Sequence, residues 1–189
     1  GAGAEGGAVR FISPEPSLDK YSGYARGEFA FTQHGAPTYE AGVAAGGPIA
    51  TDRLGFRASV SVRREGGFVD RIDPFTGATA DADANSTRSV VARAAFAIKA
   101  SDSVRLTPAI FWQQVRNNDS GAYFEELSNP GDGTFKNGRI LAQPAIETLS
   151  MPSLKVEASL GGATLTSITA FMHRSASLTN DSTTYDGVL

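Results

Sequence analysis

Residues 54–62 read LGFRASVSV, and the alternation in that stretch is hard to reconcile with a helix. Leu54, Phe56, Ala58, Val60 and Val62 occupy every second position, with Gly55, Arg57, Ser59, Ser61 and then Arg63 on the others. A 3.6-residue period would scatter these apolar residues around a cylinder, whereas a 2-residue period collects them on one side of a strand.

The same parity recurs along the chain. Residues 23–31 place Ala25, Gly27, Phe29 and Phe31 opposite Tyr24, Arg26 and Glu28; residues 39–45 place Tyr39, Ala41, Val43 and Ala45 opposite Glu40, Gly42 and Ala44, before Gly46, Gly47 and Pro48 break the run. Residues 90–98 set Val90, Ala92, Ala94, Phe96 and Ile98 against Val91, Arg93, Ala95 and Ala97, although so many alanines also suit a helix. Residues 104–112 set Val104, Leu106, Ile110 and Trp112 against Arg105 and Thr107, with Pro108 arguing for an edge, a bulge or a kink. Leu154, Val156, Ala158 and Leu160 alternate with Lys155, Glu157 and Ser159, and a last segment covers 165–173. Seven strands are expected, the third of them running on through Arg64 toward Ile72.

Their connections alternate in length. Residues 73–88 and 117–150 are long and polar, while 49–53, 101–103 and 161–164 are tight; of the connections on the long side only 33–37 is short. Loops beyond roughly 12–15 residues are uncommon inside a compact domain, and a soluble sandwich has no reason to gather them at one end. A transmembrane β-barrel does, with tight turns on the periplasmic side and elaborated loops outside. No run approaches the roughly 18 apolar residues of a membrane helix, which leaves barrel strands open.

Several functional classes are disfavoured by composition. A net charge of −3 with no Lys/Arg run lacks the electrostatic footprint of nucleic-acid binding. The absence of cysteine removes disulfides, thiolate metal sites and a cysteine nucleophile. With two histidines, His34 and His173, no histidine cluster forms within the chain, and no G-x-S-x-G elbow nominates a serine. Neither an enzyme nor a metal protein is expected. Asp81, Asp83 and Asn85 imitate the start of a calcium loop, but Ser86 and Ala92 stand where Gly and Glu are required, so a solvated loop tip is expected. Adjacent Glu125 and Glu126 read as solvated too. Gly1, Gly3 and Gly6 spell G-x-G-x-x-G, yet the β-branched and aromatic residues 8–12 and then Pro14 and Pro16 follow, where a nucleotide site needs a helix. The chain begins with Gly1 and carries no leader, so an incomplete or processed chain is expected. Tyr21, Tyr24, Tyr39, Phe68, Trp112 and Phe171 fall near strand ends, as girdle aromatics would.

Two stretches resemble a known family. GAGAEGGAVRFISPEPSL, residues 1–18, resembles the end of the plug domain of TonB-dependent outer-membrane receptors. YEAGVAAGGPIATDRLGFRASVSVRREGGFVDRIDPFTG, residues 39–77, is similar to the second and third barrel strands of that family, with a periplasmic turn and re-ascent at 52–57. The likeness extends over nearly the whole chain and is strongest from 1 to 77. It implies the end of a plug domain and its linker at 1–20, and at 21–189 the first strands of an antiparallel up-and-down barrel that in the family has roughly 22 strands. Seven strands cannot close such a barrel.

The activity implied is that of the parent: active uptake of a scarce, bulky, siderophore-like solute across the bacterial outer membrane, with no chemistry on the solute and no cofactor. The partners implied are outer-membrane lipid, the solute, and an inner-membrane TonB-type energy-transducing complex engaged through a more N-terminal part. On this reading parity makes Arg26, Glu28, Arg57, Arg63, Arg93, Arg105 and Glu157 lumen-facing, contacting the plug or lining the solute path, and Arg10 on the plug strand pairs with that wall. The same residues also suit a hydrated, salt-bridged wall. A complete small outer-membrane barrel or a soluble β-sandwich binding module is the alternative.

Overall fold

In the computed structural model of the chain, residues 13–182 are described; the G-x-G-x-x-G motif, the strand expected at 8–12 and Arg10 lie outside them. The described residues contain no α-helix. Eleven strands, in chain order, are β1 (Ser22–Ala30), β2 (Thr38–Ala50), β3 (Leu54–Glu65), β4 (Val69–Ile72), β5 (Thr79–Asp81), β6 (Thr87–Lys99), β7 (Val104–Asn117), β8 (Phe135–Asn137), β9 (Ala145–Ser159), β10 (Thr164–Ala170) and β11 (His173–Leu178).

The main sheet runs β1-β2-β3-β6-β7-β9-β10, antiparallel throughout, and β11 also pairs with β9. β10 and β11 keep one register on β9, Leu165 opposite Ala158 and His173 opposite Ser150, so together they form one rank. The interruption at Phe171 and Met172 lies across from Pro152, which has no N–H to donate; Pro152 does accept from Phe171 N at 3.0 Å. The sheet therefore has the seven ranks that parity predicts, but it is open, with β1 at one end of the order and β10 at the other.

Three local expectations need correction. Gly46, Gly47 and Pro48 do not break β2; the strand continues to Ala50 through these three buried residues, with a register shift only after Pro48. Their smallness serves a close approach, because a Cβ on Gly46 would meet Phe56 O at 2.7 Å. Pro108 is not on an edge. It sits in interior strand β7, where the ladder to β6 skips it and resumes in the same register, from Ala95 opposite Ala109 to Ile98 opposite Leu106. The alanine-rich segment is the strand that parity predicts, β6, held between β3 and β7, and not the helix its alanines also suit. Finally, β3 ends at Glu65 instead of running on to Ile72. Gly66 and Gly67 turn the chain, and β4 joins a separate sheet of order β5-β4-β8.

That second sheet is built from the two long connections, and it caps one end of the main sheet. β4 pairs antiparallel with β5 and parallel with β8, so the connections are not the plain loops expected. The cap holds the best-buried large side chains among the described residues, Val69 and Asn137. Asn85 Oδ1 accepts from the backbone N–H groups of Phe68 and Val69 at 2.8 and 2.9 Å, so the residue expected on a solvated tip is a clamp. Asp119, buried, accepts from Ser120 N and Gln143 N and faces Arg71 Nε at 3.2 Å, a pair held by charge rather than by an aligned hydrogen bond. Glu125 and Glu126 are exposed in a short 3-10 turn, Glu125–Leu127. The aromatics do not make one girdle, since Phe68 stacks edge-on with Phe135 inside the cap.

Alternation gives the main sheet two unlike faces. One carries Phe29, Val43, Val60, Phe96, Ile110 and Leu154, all exposed. Adjacent ranks put Val43, Val60 and Ala92 in one line across it, and Leu54, Ile98, Leu106 and Val156 in another. From Leu54 to Val62 this apolar band spans roughly 27 Å at about 3.4 Å per residue. A barrel tilt of 35–45° would reduce that to roughly 19–22 Å of depth, near the ~25 Å band of outer-membrane barrels.

Asn85→Ala is expected to loosen the cap alone. Two backbone donors lose their acceptor at a cost of about 1–3 kcal/mol, so limited proteolysis within 66–86 should speed up while far-UV circular dichroism keeps its strand signal. An unchanged cleavage rate would refute the clamp.

Candidate functional site

The opposite face of the main sheet is charged. Across its ranks, on the side of the long connections, Glu28 stands directly opposite Glu40, and Glu40 directly opposite Arg63. Like charges facing each other across a ladder repel, and here two guanidiniums offset the repulsion. Arg63 reaches Glu40 at 3.0 Å, Glu65 at 2.9 Å and Glu28 at 3.5 Å; Arg26 pairs with Glu28 and lies 3.9 Å from Glu40. The network is half exposed, so each pair contributes on the order of 0.2–1 kcal/mol. Its effect is to fix side-chain direction.

Toward the tight turns the same face is occupied by the chain's own N-terminal segment. Arg93 donates to Pro14 O at 3.4 Å and Arg105 to Pro16 O at 3.2 Å. Both acceptors belong to prolines, whose missing N–H leaves no donor to satisfy against the sheet. Lys155 Nζ binds Glu15 at 2.8 Å and Glu157 at 2.9 Å, with Arg105 at 3.8 Å from Glu15. Beneath the segment the sheet is surfaced with small residues, Gly55, Ala95 and Ala97, all buried. A Cβ on Gly55 would overlap the Ser17 carbonyl, so glycine is required for this approach. Asp52 N donates to Leu18 O at 3.1 Å, and Tyr21 lies on Gly47 with its hydroxyl donating to Pro48 O at 2.8 Å.

The seven residues chosen from sequence all lie on this face, and the structure sorts them into two groups. Arg26, Glu28 and Arg63 belong to the network near the cap. Arg93, Arg105 and Glu157 belong to the clamp on residues 14–16, the last through Lys155. Arg57 stands between them, donating to Ser22 Oγ at 2.9 Å. Glu40 and Lys155 lie on this face by the same alternation and complete the two groups, and register shows that Glu40 faces Arg63. Glu15 lies in no strand and gave no signal.

Between the charged face and the cap lies a cavity of about 500 Å3 whose lining includes Glu65, Asn85, Asn117, Asp119 and Gln143. The size suits a small molecule, and its donors and acceptors suit a polar one.

Lys155, hydrogen-bonded to Glu15, holds the Glu15 carboxyl below its ordinary value of 4.5; desolvation opposes this, and the charges of Lys155, Arg105 and Arg93 reinforce it. A carboxylate whose docked value is depressed stabilises docking fully above its free value and loses that contribution as pH falls through the docked value. A nitroxide on Ser13→Cys is therefore expected to be immobile at pH 7 and to become mobile as the pH is lowered below 4.5. Adding Glu15→Gln should raise its mobility at pH 7. A pH-independent spectrum would show that the ion pair does not hold the segment.

The chain matches no family model, no curated protein and no solved structure.

Proposed function

We propose that this chain supplies the plug-to-barrel junction and the first barrel strands of a TonB-dependent receptor that takes up a scarce, bulky solute across the bacterial outer membrane. One observation carries the reading. The sheet exposes a continuous apolar band on one face and holds the N-terminal segment by ions and hydrogen bonds on the other.

A soluble sandwich needs the reverse, with its apolar face packed away and its charges outward. Lipid supplies the missing cover for the apolar face. The charged face is then the lumen, residues 13–20 lead from plug to wall, and the cavity beneath the cap lies at the extracellular mouth. The open edges of the sheet fit this reading, because further strands of a larger barrel would pair them. Energy would come from an inner-membrane TonB-type complex acting on the plug, and the solute would leave unaltered.

Topology and transport are both testable in cells carrying the full-length gene. Protease added to intact cells is expected to cut within 118–144 and to spare 100–103, with the protein in the outer-membrane fraction. Deleting the gene should abolish growth on one scarce solute in a panel of ferric siderophores, cobalamin, haem and oligosaccharides. Cleavage at 100–103, or recovery in a soluble fraction, would overturn the proposal.

A further inference from the structure

The apolar face ends, toward the cap, in a line of arginines. Arg64 stands directly opposite Arg88, and Arg88 directly opposite Arg116, on three neighbouring strands and all exposed. Tyr39 faces Arg64 from the next strand, and Phe29 faces Tyr39. This line lies one step beyond Val62 and Val90, the last apolar pair of the band.

Three cations in direct cross-strand register repel one another. On the charged face the equivalent conflict between Glu28 and Glu40 is bridged by Arg26 and Arg63. Here the described residues supply no counter-ion. Among the described residues no carboxylate forms an ion pair with Arg64, Arg88 or Arg116, and Arg116 Nε donates to the neutral Asn118 Oδ1 at 3.0 Å. Glu65, next in sequence, points to the other face and pairs with Arg63. The three guanidiniums line a groove of about 460 Å3 together with Tyr39 and Ser86, whose hydroxyls can donate to an oxyanion.

We infer that this row binds the phosphate groups of an outer-leaflet lipid headgroup. The inference rests on the membrane reading above, which puts the end bearing the long connections outside and the arginine line at headgroup depth. A doubly charged phosphate offers each guanidinium a bidentate partner, and a lipid bearing two phosphates can neutralise the row while its acyl chains lie along the apolar band. Tyr39 beside the row suits the same depth.

The test compares the full-length wild-type protein with the triple variant R64Q/R88Q/R116Q. Both are purified in dodecyl maltoside and titrated with mixed micelles of diphosphorylated lipid A, with binding read by native mass spectrometry. Wild type is expected to hold the lipid roughly 10- to 100-fold more tightly than the triple variant. The dephosphorylated lipid should bind both proteins equally weakly, and 10 mM inorganic phosphate should displace little. The triple variant, relieved of repulsion, should still fractionate with the outer membrane and melt no lower than wild type in lipid-free detergent. Equal affinity of two membrane-localised, folded proteins would overturn the lipid site and leave the receptor reading intact. Full displacement by inorganic phosphate would replace the lipid with a free anion. Failure of the wild type to reach the membrane would overturn both.

Discussion

Every second side chain of a β-ladder points to the same side, and among the described residues the segment 13–18 packs against the charged side of the principal sheet while the apolar side stays exposed. That constraint governs the rest of the structure. On the charged side, alanine and glycine leave room for residues 13–18, and arginine and lysine take their carbonyls and carboxylate. On the apolar side Phe96, Ile110 and Leu154 stay exposed although a hydrophobic face normally seeks cover. The buried core of the described residues is correspondingly thin, and its largest members, Val69 and Asn137, lie in the cap.

Two kinds of order hold this arrangement together. The ladders provide long-range cohesion, with interior strand β7 keeping one register against β9 from Val104 to Asn117 and spanning Pro108 without slipping. The cap is fixed instead by a few buried polar contacts. Asn85 secures the turn into β4, and Asp119 joins Ser120, Gln143 and Arg71 from separate parts of the chain. Removing one partner of such a buried charge pair typically costs about 3–5 kcal/mol. Exposed pairs such as Arg26 with Glu28 contribute far less. The cap therefore depends on specific residues where the sheet depends on repetition.

This difference also explains what the sequence made legible. Strand number, the two faces and the alternation of long and short connections follow from a period of two, a local property visible at Leu54, Phe56, Ala58, Val60 and Val62. Strand ends were less visible, because Gly46, Gly47 and Pro48 have the composition of a breaker and become strand only when Tyr21 and Phe56 approach them. The cap was invisible. β4 and β8 are three to four residues long and pair across more than sixty positions, so neither carries a pattern of its own. At the candidate site, parity gathers the right residues on one face, Glu40 and Lys155 included, but their partnerships need register, and Glu15 needs the docked segment itself.

The two faces also answer the problem of like charge differently. Glu28 and Glu40 are adjacent and tolerated because Arg26 and Arg63 approach from neighbouring positions on the same face, so the conflict is resolved within the sheet. Arg64, Arg88 and Arg116 have only apolar and neutral neighbours in their own row and the next, so what balances them must come from outside the described residues. At a strand spacing of about 4.8 Å neighbouring Cα positions lie well within the Debye length of about 8 Å at physiological ionic strength, and bulk salt screens such a group only partly. A bound anion with several oxygens relieves all three at once. On the proposed membrane reading the apolar band and the cationic line would make complementary demands on the surroundings, one for hydrocarbon and the other for phosphate, in the vertical order in which a membrane leaflet presents them.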